Sequence, residues 1–214
     1  MDATASPSAP HARSGIGLWV CLALVAAVFF VFLLVGGRPR GPSATEGPAI
    51  GRTLPYLQLE GLTGDSKPVS LDDLQGRITL INYWGTWCPP CQREFPHIVE
   101  LAEKFAGQDD FRLYAVSCGQ QVADENPNDL RRATQRFLES NQVTLPAYAD
   151  QNRASRHAMT VALDLEDFAY PTTLVLDRQG KVRGLWIGYA PGSEREMRSL
   201  IQDLLEKPAP QPAA

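Results

Sequence analysis

The longest apolar run of the chain is IGLWVCLALVAAVFFVFLLV, residues 16–35, which holds no charge and no proline. At about 1.5 Å per residue it reaches roughly 30 Å, the hydrocarbon thickness of a bilayer, and it predicts a membrane-spanning helix within 15–37. Beyond it the periods are shorter. Residues 54–71, LPYLQLEGLTGDSKPVSL, hold two strand-like runs around the turn-rich 61–67 and predict a β-hairpin. ITLINYW, 78–84, is β-branched and aromatic and predicts a buried strand. Phe95, Ile98, Leu101, Ala102 and Phe105 recur at helical spacing over 94–105, and FRLYAVS, 111–117, predicts a second strand. Such a strand–helix–strand unit should have parallel strands and a right-handed crossover.

The remaining pattern predicts helices over 130–140, 154–163 and 194–206, and strands over 145–149, 172–177 and 182–187. The last two strands are joined by DRQG, a hairpin whose glycine supplies a positive φ. The final helix carries Met197, Leu200, Ile201, Leu204 and Leu205 on one face. The fold class is therefore α/β, a mixed sheet flanked by helices. Residues 1–14 are an Ala/Ser/Pro tail and 38–49 a Pro/Gly/Ser-rich linker; 50–207 form the folded domain and 208–214 a second tail. Residues 119–128, GQQVADENPN, are a polar loop suited to shaping partner choice.

Net charge is −4 with acidic and basic residues interspersed, so no basic stripe suits a nucleic-acid partner. Cleavage of the apolar run as a signal peptide is the competing reading, although Val35-Gly36-Gly37 makes a poor cleavage site. Cys21 follows bulky Val20 near the start of the run, which argues against a lipid-modified cysteine. Arg13 precedes the span while Arg38, Arg40 and Arg52 follow it. Lys/Arg bias alone would place the domain in the cytoplasm, but long domains translocate regardless of such charge.

The chemistry concentrates in WGTWCPPCQREFP, residues 84–96. Cys88 and Cys91 admit three readings. A zinc site wants four ligands, and only one CxxC is present. A structural disulfide across two residues closes too small a loop to stabilise much. A redox pair accounts for the neighbours: a buried strand precedes it, a helix follows, and proline is tolerated in a helix's first turn. Cys88 at that N-terminus would meet the positive end of the helix dipole, which favours the thiolate, while Cys91 lies one turn deeper, placed to resolve a mixed disulfide.

INYWGTWCPPCQREFPHI resembles the thioredoxin-like superfamily, in particular its membrane-anchored TlpA/ResA-type thiol-disulfide oxidoreductases. VSLDDLQGR before the strand and YPTTLVLDRQGKV after the inserted helices extend the match over nearly the whole soluble part. The resemblance implies a thioredoxin-like fold with an N-terminal hairpin extension and a redox-active Cys88–Cys91 disulfide as the only cofactor, without a metal. It implies that Tyr170-Pro171 is a cis-proline turn against the cysteines, presenting backbone groups to a substrate chain alongside Trp87, Pro89 and Pro90. Glu94 matches an acidic residue that tunes proton chemistry at the pair; a dipole-stabilising side chain is the alternative reading. Pro96 matches a proline interior to the active-site helix. Asn82 stands where thioredoxin itself has a buried Asp, so a general base must come from elsewhere.

The function expected on this resemblance is reduction of disulfides in an extracytoplasmic protein, of the cytochrome c maturation type, by a single-pass protein of the cytoplasmic membrane. Its partners would be a protein substrate with cysteines, a membrane electron donor, and the bilayer through residues 16–35. A disulfide-forming oxidant and a thiol peroxidase are the alternatives. Cys118 at the end of the second strand is expected at the same sheet edge as Cys88, as a packed small residue, and His97 on the helix surface.

Overall fold

The computed structural model describes residues 44–121 and 126–208, together with Leu22, Leu24 and Val25. The chain divides into two compact units, Met1–Gly41 and Pro42–Ala214. Leu22, Leu24 and Val25 are helical; the rest of the predicted span lies outside the described residues. Among the described residues no helix is long and apolar enough to cross a membrane.

In the second unit the described strands form one seven-stranded mixed sheet. They are β1 (Gln58–Thr63), β2 (Val69–Ser70), β3 (Ile78–Trp84), β4 (Phe111–Ser117), β5 (Ala147–Ala149), β6 (Thr172–Leu176) and β7 (Val182–Ile187). Their order across the sheet is β2-β1-β5-β4-β3-β6-β7. β3, β4 and β5 run parallel, whereas β1, β6 and β7 join antiparallel. The predicted hairpin is β1–β2, and the predicted βαβ unit is β3, helix α1 (Pro89–Phe105) and β4.

Alternation along the strands divides the core into two layers. Ile81, Tyr83, Tyr114, Val116 and Leu174 face one side, packed with Met159 and Leu163 of α3 (Ala154–Leu163). Ile78, Leu80 and Val175 face the other, against Ile98 and Leu101 of α1 and Met197 and Ile201 of α4 (Ser193–Glu206). On that second side Trp84, Ala115 and Ala147 pack with Phe95 of α1 and Leu138 of α2 (Pro127–Ser140).

Two helices begin earlier than their apolar periods indicate. α1 starts at Pro89, directly after Cys88 as the motif indicated, although its first turn, Pro-Pro-Cys, carries no apolar period. α2 starts at Pro127 because the Asn126 side chain accepts the Asn128 N–H at 3.1 Å and proline suits the first helical position. β5 is shorter than predicted, beginning after Pro146, which has no N–H for the ladder. In the DRQG turn Asp177 Oδ1 accepts the Gln179 and Lys181 N–H groups, and Gly180 takes φ 70°. Arg178 reaches across to the end of α4, donating to the Leu204 and Lys207 carbonyls at 2.8 and 3.0 Å.

Candidate active site

β3 ends at Trp84, and four residues later the Cys88 N–H bonds to the Gly85 carbonyl at 3.1 Å, turning the chain into α1. Cys88 is the N-cap of that helix and is joined by a disulfide to Cys91, the third helical residue. The Cys91 N–H donates to Cys88 Sγ at 3.3 Å. Cys91 is the deeper partner, but Cys88 is hardly more open, at 3% exposed against 1%. The shallower place predicted for Cys88 at the helix start therefore does not leave its sulfur open in the oxidised state. Trp84 and Phe95 pack in one cluster with both cysteines, and Tyr170 closes over it.

The two prolines determine how many donors meet that sulfur. An N-cap side chain ordinarily draws on the second and third helical N–H groups. Pro90 deletes the second, and the Gln92 N–H is taken by the Cys88 carbonyl at 3.0 Å, so the Cys91 N–H is what remains. Pro90→Ala restores a donor and should favour the thiolate. The reduced variant is expected to alkylate at Cys88 about 3–10-fold faster at pH 6 than the parent, a charge-assisted hydrogen bond being worth about 1.5 kcal/mol or more. Stopped-flow alkylation measures this; an unchanged rate would show that the prolines leave the thiolate unaffected.

Glu94 lies one turn beyond Cys91 on the buried stripe of α1, 2% exposed. It does not sit at the helix start as a dipole-stabilising surface group. Asn82 and Thr173 face each other in the β3–β6 register directly beneath it. Asn82 Nδ2 donates to Glu94 Oε2 and to Thr173 Oγ1, both at 2.8 Å. Burial raises the Glu94 carboxyl from its ordinary 4.5 to about 7, against the opposing hydrogen bonds with Asn82 and Thr173. Its other oxygen, Oε1, is buried without a hydrogen-bond partner. A carboxyl in that state exchanges a proton near neutral pH.

Across from the pair, the Tyr170–Pro171 peptide bond is cis, as the resemblance implied. The Pro171 carbonyl accepts the Gly188 N–H at 2.7 Å, tying the turn to the end of β7. Trp87 is exposed and stands edge-on to Tyr170, ring centroids 5.4 Å apart. Its indole N–H donates to the Cys118 carbonyl at 2.9 Å. That path crosses Gly85 so closely that a Cβ there would sit 2.4 Å from the indole nitrogen, so glycine is required for the tryptophan to fold back. Pro89 is exposed and Pro90 half-buried beside it. Trp84 belongs to the core beneath, its ring 4.3 Å from Phe95 and 5.1 Å from Phe137.

Cys118 does end its strand at the edge where Cys88 lies, its N–H bonded to the Trp84 carbonyl at 2.8 Å. Its side chain, however, belongs to the opposite core layer with Tyr83 and Val116. His97 is half-buried, stacked on Tyr189 with Nδ1 3.5 Å from Glu100. Pro96 lies inside α1, exposed. Sequence reasoning did not single out Thr173, nor the buried pair Asp150 and Arg156 behind Tyr170. For Thr173 the pointer was a second threonine, after Thr172, opening a strand otherwise of leucine and valine; for Arg156, a charge near the start of a weakly amphipathic helix.

A cysteine pair closing a helix N-terminus beside a cis-proline turn, on a mixed sheet of this order, defines a thioredoxin-like thiol-disulfide oxidoreductase. The chain belongs to the AhpC/TSA family, whose sequence profile matches residues 50–185. It is similar to thiol-disulfide oxidoreductase ResA of Bacillus subtilis, 30% identical over 137 residues, 64% of this chain and 66% of that one. It is also similar to thiol:disulfide interchange protein DsbE of Pseudomonas aeruginosa, 28% identical over 187 residues, 86% of this chain and 91% of that one. The fold is shared with a secreted thiol-disulfide isomerase of Corynebacterium glutamicum, TM-score 0.59 at 20% identity, over 79% of this chain and 96% of that one.

Proposed function

We propose that this protein is a membrane-anchored reductant of disulfides in extracytoplasmic proteins, of the kind that keeps an apocytochrome c ready for haem attachment. The Cys88 thiolate attacks one sulfur of the substrate disulfide, forms a mixed disulfide and expels a substrate thiolate, which takes a proton from solvent. Cys91 then gives its proton to the Glu94 carboxylate and attacks Cys88 Sγ. The second substrate sulfur leaves as a thiolate and takes a proton from solvent, Glu94 returns its proton to solvent, and the Cys88–Cys91 disulfide is regenerated. Two electrons have passed to the substrate, and a membrane dithiol donor must return them. Trp87, Pro89, Pro90 and the Tyr170–Pro171 turn form the surface on which the substrate chain lies.

The observation that carries the reductive direction is the Cys88 sulfur's donor supply at the helix start, narrowed to the Cys91 N–H. Strong oxidants of this class owe their potential to a stabilised reduced form. Removing donors from the thiolate withdraws that stabilisation. The anchor is supported by the uncharged run 16–35 and by Leu22, Leu24 and Val25, apolar side chains exposed on a helical stretch. Equilibration against glutathione should give a potential near that of thioredoxin, about −270 mV; a value near −120 mV would make the protein an oxidant. An alkaline-phosphatase fusion after residue 49 should be active, and an inactive one would place the domain in the cytoplasm.

A further inference from the structure

Behind the cis-proline turn lies a buried ion pair that plays no part in the thiol chemistry. The side chains of Arg156 and Asp150 are 3% and 0% exposed, with Arg156 Nε 2.9 Å from Asp150 Oδ2. Asp150 has a role of its own: Oδ1 accepts the Ser155 N–H and Oδ2 the Arg156 N–H, both at 2.9 Å, which caps the first turn of α3. That capping does not require the guanidinium. A neutral side chain such as asparagine at 150 could cap the helix without the cost of burying two charges. What the guanidinium adds is reach: Nη1 donates to the Tyr170 hydroxyl at 2.5 Å, while Nη2 donates to the Asp150 backbone carbonyl at 3.3 Å.

Tyr170 is the residue before the cis bond, and its ring contacts Trp87 and Phe168 edge-on, centroids 5.4 and 5.5 Å away. It also packs against the cluster that holds both cysteines. We infer that Arg156 is a positioning residue, oriented by Asp150, that pins the Tyr170 ring and so fixes the turn and the Trp87 rim as a preformed platform for the substrate polypeptide. A planar, forked side chain suits this task because it bonds two partners in one fixed geometry; lysine, a single point charge, holds only one of them well. The inference rests on the reading of residues 170–171 as the substrate surface.

A double-mutant cycle on Arg156→Lys and Tyr170→Phe tests it, reading KM and kcat for reduction of a disulfide-bonded peptide, the potential of the cysteine pair, and Tm. Each single variant should raise KM about fivefold, the scale of one lost hydrogen bond, with kcat and the redox equilibrium constant of the pair both within about twofold of the parent. The double variant should be no worse than either single one. Additive effects on KM, or losses of kcat and KM that follow Tm, would overturn the inference by making Arg156 merely structural. Should Arg156→Lys fail to fold, Tyr170→Phe keeps the ion pair, and its unchanged KM would overturn the inference equally. Pro171→Thr separates the underlying reading: if it leaves KM unchanged, the turn is not the substrate surface. If it raises KM while Arg156 and Tyr170 act additively, only the role of Arg156 falls.

Discussion

Replacing Cys91 by serine should turn the protein into a covalent trap. Cys88 can still open a substrate disulfide, but nothing one turn deeper in α1 releases the product, so a mixed disulfide through Cys88 accumulates. In native membranes the variant should carry a dithiothreitol-sensitive adduct whose mass identifies the substrate. Cys88→Ser should form no adduct, and either variant should lose turnover by about 1000-fold or more, because residues acting as a unit fail together. An adduct on Cys91 in the Cys88→Ser protein would exchange the two roles. Peroxide consumption retained by Cys91→Ser and lost in Cys88→Ser would instead support a thiol peroxidase.

Glu94→Gln should change both the pH profile of turnover and the pH dependence of stability. The carboxyl titrates at about 7 when folded, against 4.5 ordinarily. Between those values the unfolded chain has already lost the proton that the folded protein keeps. Stability contributed by this group is therefore fully present below about pH 4.5 and declines as pH rises towards 7. Above 7 both states are ionised and the loss is complete. The rise of about 2.5 in pKa corresponds to roughly 3 kcal/mol at about 1.4 kcal/mol per unit. Urea unfolding of the oxidised proteins should accordingly show the variant gaining that order of stability relative to the parent between pH 4.5 and 8. A gain of equal size at both pH values would mean that Glu94 does not titrate there. Turnover of the variant at pH 7 should fall about 100-fold through loss of the proton acceptor, and its rise with pH through 7 should vanish. A turnover profile identical to the parent's would remove Glu94 from the chemistry.

Much of this molecule is written in local periods. The run 78–84, the helical spacing after Phe95 and the second strand at 111–117 each state their element within a few residues, because burying one face of a strand or helix imposes a short repeat. The cysteine pair is equally local: its spacing, its two prolines and its place between a strand and a helix lie in one uninterrupted stretch. The start of α1 was legible in the motif itself, with proline directly after Cys88, whereas that of α2 depends on capping by Asn126 and on Pro127, which no apolar period records.

The settings of the side chains lie beyond that local reach. Glu94 is marked by the resemblance alone and is an ordinary helix acid by its local pattern; the β3–β6 register sets Asn82 opposite Thr173 beneath it, and burial lifts its carboxyl to about 7. Cys118 lies at the expected sheet edge, yet strand alternation turns its thiol into the opposite layer. Arg156 and Tyr170 are separated by fourteen residues of chain and meet only because the start of α3 packs behind the turn. Hydrophobic repeats and a four-residue motif act over one or two turns of backbone, so the chain states them outright. Desolvation, register and hydrogen bonding between distant residues exist only once the sheet has closed, and they set the proton and substrate chemistry at the pair.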